Sequence, residues 1–89
     1  MATFYGCFGI VKGRMPSKGV WEFKASTYES AIKQLKTHAQ NNYRDDYKES
    51  TLFGDGGRVL GWCFRSGGVI VYASKSVLQN IGLMPKRKV

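Results

Sequence analysis

The chain is expected to fold as an α+β domain: a four-stranded antiparallel sheet in the order ββαββ, one helix packed on one face of it, and a short C-terminal helix. Three observations predict this. Two pairs of apolar, aromatic and β-branched runs are each joined by a glycine-rich turn. A single stripe of apolar residues at three- and four-residue steps lies between the two pairs. A length of 89 residues suits one small core and leaves no room for a second domain. Residues 1–85 are therefore read as one domain and 86–89 as a basic tail.

The first strand runs from Thr3 to Lys12, with Phe4, Phe8 and Ile10 on one face and Tyr5, Cys7 and Val11 on the other. Apolar residues on both faces mark a central or covered strand, and Gly6 and Gly9 mark a bulge or a close backbone approach. The run from Gly13 to Gly19 has turn punctuation and carries Arg14 and Lys18. The second strand, Val20 to Ala25, sends Trp21, Phe23 and Ala25 one way and Glu22 and Lys24 the other. Ser26 and Glu29 have the spacing of a capping box, with Ser26 accepting from an amide at the start of the helix. The helix then buries Tyr28, Ala31, Ile32, Leu35, His38, Ala39 and Tyr43, and frays at Asn41 and Asn42.

Arg44 to Gly57 is polar and reads as the main loop, with Gly54–Gly57 as a turn. Arg58 to Arg65 and Val69 to Ala73 form the last two strands around the turn Ser66, Gly67, Gly68. Ser74 or Ser76 caps the short final helix through Val77, Leu78 and Ile81, which ends near Gly82 ahead of Pro85.

Lys and Arg number 14 against 6 Asp and Glu, a formal net charge of +8, and the excess is unevenly placed. Residues 1–21 hold Lys12, Arg14 and Lys18 with no acid, and residues 56–89 hold Arg58, Arg65, Lys75, Lys86, Arg87 and Lys88 with no acid. Such a field concentrates polyanions, so nucleic acid or a nucleoprotein is the expected partner and these nine residues are the expected contacts. Tyr5, Trp62 and Tyr72 are candidates for stacking on bases if they face away from the helix. Asp45, Asp46 and Glu49 form an acidic cluster suited to occupying a lysine or arginine patch that ordinarily holds nucleic acid.

Catalysis, metals and cofactors find little support. His38 is the one histidine and lies on the apolar stripe. Cys7 and Cys63 have no CxxC partner or histidine cluster, and they pair in a disulfide only if their strands are neighbours. The GDGG run lacks the flanking helices of a GxxG clamp, and GWCFRSGGVIVY lacks the glycine and aromatic placement of an RNA-binding sheet motif. The chain is expected to be no enzyme and to need no cofactor or metal. With no apolar run near the roughly 18 residues of a membrane span and no signal-like N-terminus, it is expected to be soluble and intracellular, with no membrane partner. A monomer is favoured.

In its size, its ββαββ order and its mixed charged surfaces, with GIVKG, VWEFKASTYESAIKQL and VLGWCFRSGGVIVY as the segments concerned, the chain resembles the small phage-encoded anti-CRISPR proteins of type I systems. That resemblance implies a non-catalytic inhibitor in the cytoplasm of an infected bacterial host. It would bind the RNA-guided CRISPR surveillance complex and block target DNA hybridisation or cleavage. Its basic residues would then meet guide RNA or acidic protein, and its acidic ones the lysines that hold DNA. The alternative is a free-standing DNA- or RNA-binding module such as a small phage regulator.

Overall fold

Strand β1 (Ala2–Phe8) is paired on both sides in the computed structural model, which describes residues 1–11, 14–43, 47–49, 54–55 and 58–85. On one side it meets β2 (Gly19–Ala25), antiparallel, from Ala2 opposite Ala25 to Phe8 opposite Gly19. Helix α1 (Tyr28–Tyr43) follows, then the short strands β3 (Tyr47–Glu49), β4 (Gly54–Asp55) and β5 (Arg58–Val59). β6 (Gly61–Phe64), β7 (Val69–Ala73) and α2 (Lys75–Asn80) complete the chain. The sheet order is β2-β1-β7-β6-β3, all antiparallel, with β4 and β5 as a separate two-stranded pair.

The α+β fold and the four main strands stand as the sequence predicts. The polar stretch from Arg44 to Gly57 is more than a loop, because β3 adds a fifth strand beside β6 and β4 pairs with β5. The expected strand Arg58–Arg65 is divided at Leu60: its first two residues pair with β4, and Gly61 onward pairs with β7.

The α1 face holds the larger core. Phe4 and Phe8 from β1, Phe23 and Ala25 from β2, Trp62 and Phe64 from β6, and Ile70 and Tyr72 from β7 pack with Ala31, Leu35 and Ala39 of α1. Leu35 reaches the sheet because Gly6 has no side chain; a Cβ there would lie 2.5 Å from Leu35 Cδ1. The opposite face is also covered. Cys7, Ile10, Val71 and Ala73 pack with Leu78 of α2 and Leu83 beyond it, so the short helix seals a second core. Ile10 thus lies opposite Phe4 and Phe8, against the alternation read from the sequence. Gly9 has φ of 71°, which breaks the extended backbone and shifts the phase of the residues after it. Val11 is exposed rather than packed, as is Ile81 beyond α2.

Helix α1 begins one residue later than a Ser26 cap requires. The Ser30 amide donates to Thr27 Oγ1 at 3.1 Å, and the Ala31 amide to the Thr27 carbonyl at 3.0 Å, which makes Thr27 the cap. Asn41 and Asn42 remain helical; the Asn42 side chain donates to the His38 carbonyl at 2.9 Å. Ser74 precedes α2 in extended conformation without a side-chain cap bond, and Gly82 takes φ of 82° after its end. No helix among the described residues is long and apolar enough to cross a membrane.

Candidate nucleic-acid interface

The two main hairpins turn at the same end of the sheet. β1 and β7 are antiparallel with Phe8 opposite Ile70, so the end of β1, which opens the first turn, lies beside the start of β7, which closes the second. The Ile10 amide continues the contact to the Val69 carbonyl at 3.5 Å. The turns touch: a Cβ on Gly68 would lie 3.8 Å from Gly9 Cα. This brings Arg14 and Lys18 of the first turn and Arg65 of the second, all exposed, to one end of the molecule.

Several backbone bonds hold the first turn. The Gly9 carbonyl accepts from the Ser17 hydroxyl at 2.7 Å and the Ser17 amide at 3.4 Å, and the Phe8 carbonyl accepts from the Lys18 amide at 3.2 Å. Gly9 is required there, because a Cβ would come within 2.5 Å of Ser17 Oγ and 3.0 Å of the Lys18 nitrogen. Lys18 is further placed by α1. The Tyr43 hydroxyl donates to its carbonyl at 3.2 Å, and its ammonium stands 5.7 Å from the Tyr43 ring and 5.5 Å from the Phe64 ring. In the second turn the Phe64 amide donates to the Gly68 carbonyl at 2.6 Å and the Gly67 amide back to Phe64 at 3.1 Å.

The remaining expected contacts are not all at this end. Arg58, in β5, precedes β6, and Lys75 follows β7, so both belong to the opposite end of the sheet from the two turns. Lys12, Lys86, Arg87, Lys88, Asp45 and Asp46 lie outside the described residues. Glu49 closes β3, its backbone opposite Trp62.

Of the expected stacking residues, Trp62 and Tyr72 are buried under α1, whereas Tyr5 is partly exposed and faces away from α1. Trp62 is 2% and Tyr72 1% exposed, both on the α1 face, their rings stacked 5.6 Å apart. Tyr5 lies on the α2 face and donates its hydroxyl to Glu22 Oε1 at 3.0 Å. In a chain this small, large aromatics are needed to fill the core. Lys36 passes over Trp62 from α1, with its ammonium 5.4 Å from the ring.

A groove of about 380 Å³, which the sequence does not signal, runs between α1 and β2, lined by Trp21, Lys33, Gln34, Thr37, His38 and Asn42 among others. Within it the His38 ring stacks on Trp21 at 3.9 Å and 5°, and Trp21 lies on Phe23 at 4.4 Å and 14°. The Asn42 amide nitrogen is 3.3 Å from His38 Nδ1. Partial burial moves the His38 pKa below the usual 6.5, favouring the neutral ring.

Cys7 and Cys63 are not joined in a disulfide. β7 lies between their strands, so Cys7 and Cys63 are not neighbours. Burial raises the Cys7 thiol to about 11, which leaves it protonated and a poor nucleophile. Among the described residues no group of three His, Cys, Asp or Glu side chains gathers at metal-binding distance. No family model, curated protein or solved structure matches the chain.

Proposed function

We propose that this chain is a non-catalytic binding protein that docks on a nucleic-acid-bearing partner through its hairpin-turn end, the most specific form being an inhibitor of an RNA-guided CRISPR surveillance complex. One observation carries the docking reading: the abutting turns gather Arg14, Lys18 and Arg65 at one end. Cations held on a backbone framework can meet phosphates with little further ordering, which favours binding. The burial of Trp62 and Tyr72 weighs against a single-strand binder that stacks bases on its sheet, and so favours docking on a preformed nucleoprotein surface. The inhibitor form rests on the family resemblance, and the acidic residues Asp45, Asp46 and Glu49 would supply its contacts to DNA-holding lysines.

The test is capture of tagged protein from a phage-susceptible bacterial lysate at moderate salt, with and without nuclease. A fixed set of protein subunits retained after nuclease supports docking on a nucleoprotein, and CRISPR subunits among them establish the inhibitor. Recovery of mixed nucleic acid alone, lost on nuclease treatment, makes the chain a free-standing binding module instead.

A further inference from the structure

Among the described residues β2 is the outermost strand of the five-stranded sheet, bonded to β1 along one edge only. Gln34 Nε2 donates to the Lys24 carbonyl at 3.1 Å, so that carbonyl points away from β1. Strand alternation then turns the amides and carbonyls of Val20 and Glu22 the same way, leaving an edge of outward polar groups. Trp21, Phe23 and Ala25 pack toward α1, while the side chains of Val20, Glu22 and Lys24 are exposed, Val20 at 45%. Glu22 is further fixed by the Tyr5 hydroxyl.

We infer that this edge is a self-complementary interface, and that two copies of the chain join β2 to β2 antiparallel about a two-fold axis at Phe23. That register sets Glu22 opposite Lys24 of the second copy and Lys24 opposite Glu22 of the second copy, giving two pairs of opposite charges directly across the junction. Glu22 and Lys24 are also the residues whose backbone groups face outward, so each pair can exchange both main-chain hydrogen bonds. The Lys24 carbonyl has a second lone pair, which lets it keep Gln34 as a donor. On the α1 face, Trp21 falls opposite Ala25 of the second copy, large against small. Among registers that keep most of β2 paired, the alternatives are poorer. An axis at Glu22 sets that carboxylate against its own copy, and an axis at Trp21 brings Lys24 up to Lys18. The axis at Phe23 continues the sheet through both copies, keeps both α1 helices on one face, and places the two hairpin-turn ends at opposite ends of the dimer. This assembly stands in place of the monomer expected from the sequence, and it is independent of the function proposed above.

Sedimentation of the intact chain from micromolar to millimolar concentration tests the inference. The expected result is a monomer–dimer equilibrium that Glu22→Lys or Lys24→Glu alone weakens about tenfold or more, since each inversion sets two like-charged pairs across the junction. Mixing the two single variants should restore association as a heterodimer, and the double inversion E22K/K24E should restore the homodimer. Slowed amide exchange at Glu22 and Lys24 with rising concentration reads the same interface without any substitution. A wild-type chain that stays monomeric, or a dimer indifferent to the single inversions, overturns the proposal; the charges would then guard the edge against pairing.

Discussion

At Gly6 the absence of a side chain decides how close α1 can come. Leu35 is fully buried and fills the space that a Cβ on residue 6 would occupy. Gly6→Ala should therefore destabilise the fold by about 1–3 kcal/mol through overpacking. Leu35→Ala alone should cost about 2–5 kcal/mol through lost burial and a cavity. The two changes meet in one volume, so urea denaturation of the double variant should show a loss smaller than the sum; simple additivity would place Leu35 away from residue 6. His38 supplies a pH-dependent counterpart. Its pKa is lowered in the fold by burial, so the unfolded chain takes up a proton at higher pH than the folded one. Its stabilising contribution is complete above about pH 6.5, the unfolded value, and declines as pH falls through the lower folded value. Melting temperatures measured from pH 8 to pH 5 should fall more in the wild type than in His38→Phe, which keeps a ring against Trp21 but cannot titrate. Equal slopes would remove His38 as the source.

At the scale of the element, the start of α1 separates two caps that the sequence makes nearly equivalent. Both Ser26 and Thr27 carry a hydroxyl, but only Thr27 accepts from a helix amide among the hydrogen bonds described. Thr27→Ala should cost about 1 kcal/mol while Ser26→Ala stays within about 0.5 kcal/mol, measured by thermal or urea unfolding. The reverse order would return the cap to Ser26. The strands show a similar mixture of what is legible and what is not. Alternation in β2 reads directly, because Trp21, Phe23 and Ala25 pack inward while the charged Glu22 and Lys24 between them stay exposed. β7 reads as a strand, but it is apolar and packed on both faces, so its pattern does not tell one face from the other. In β1 the alternation holds only to Phe8, since a glycine's left-handed φ leaves no trace in a hydrophobicity pattern; that is why Ile10 belongs with α2. The fifth strand, β3, escapes notice for a different reason. It is three residues long and polar, and its place is set by pairing with β6 rather than by its own composition.

At the scale of the whole molecule, charge along the chain is visible in the sequence, but its gathering in space is a property of topology. Nine basic residues look equivalent as candidate contacts until the antiparallel β1–β7 pairing puts the two hairpin turns side by side. Arg14, Lys18 and Arg65 then share one end while Lys75 lies at the other. Two of the aromatic candidates fail at this scale as well: nothing in the local pattern around Trp62 and Tyr72 tells a core ring from a stacking ring, and only the position of α1 decides it. This division makes the interface testable by salt. For binding to a short RNA or DNA duplex, the logarithm of affinity should fall linearly with the logarithm of salt concentration, each phosphate contact adding about 0.9 to the slope on duplex DNA. Changing Arg14, Lys18 and Arg65 together to Ala should weaken binding and reduce the slope by about one for each cation that touches a phosphate. Lys75→Ala should leave affinity and slope nearly unchanged. All four positions are exposed, so melting temperatures should stay close to wild type and distinguish lost contact from lost fold. If the triple variant binds as well as the wild type, or if Lys75→Ala has the larger effect, the hairpin-turn end is not where phosphate is held.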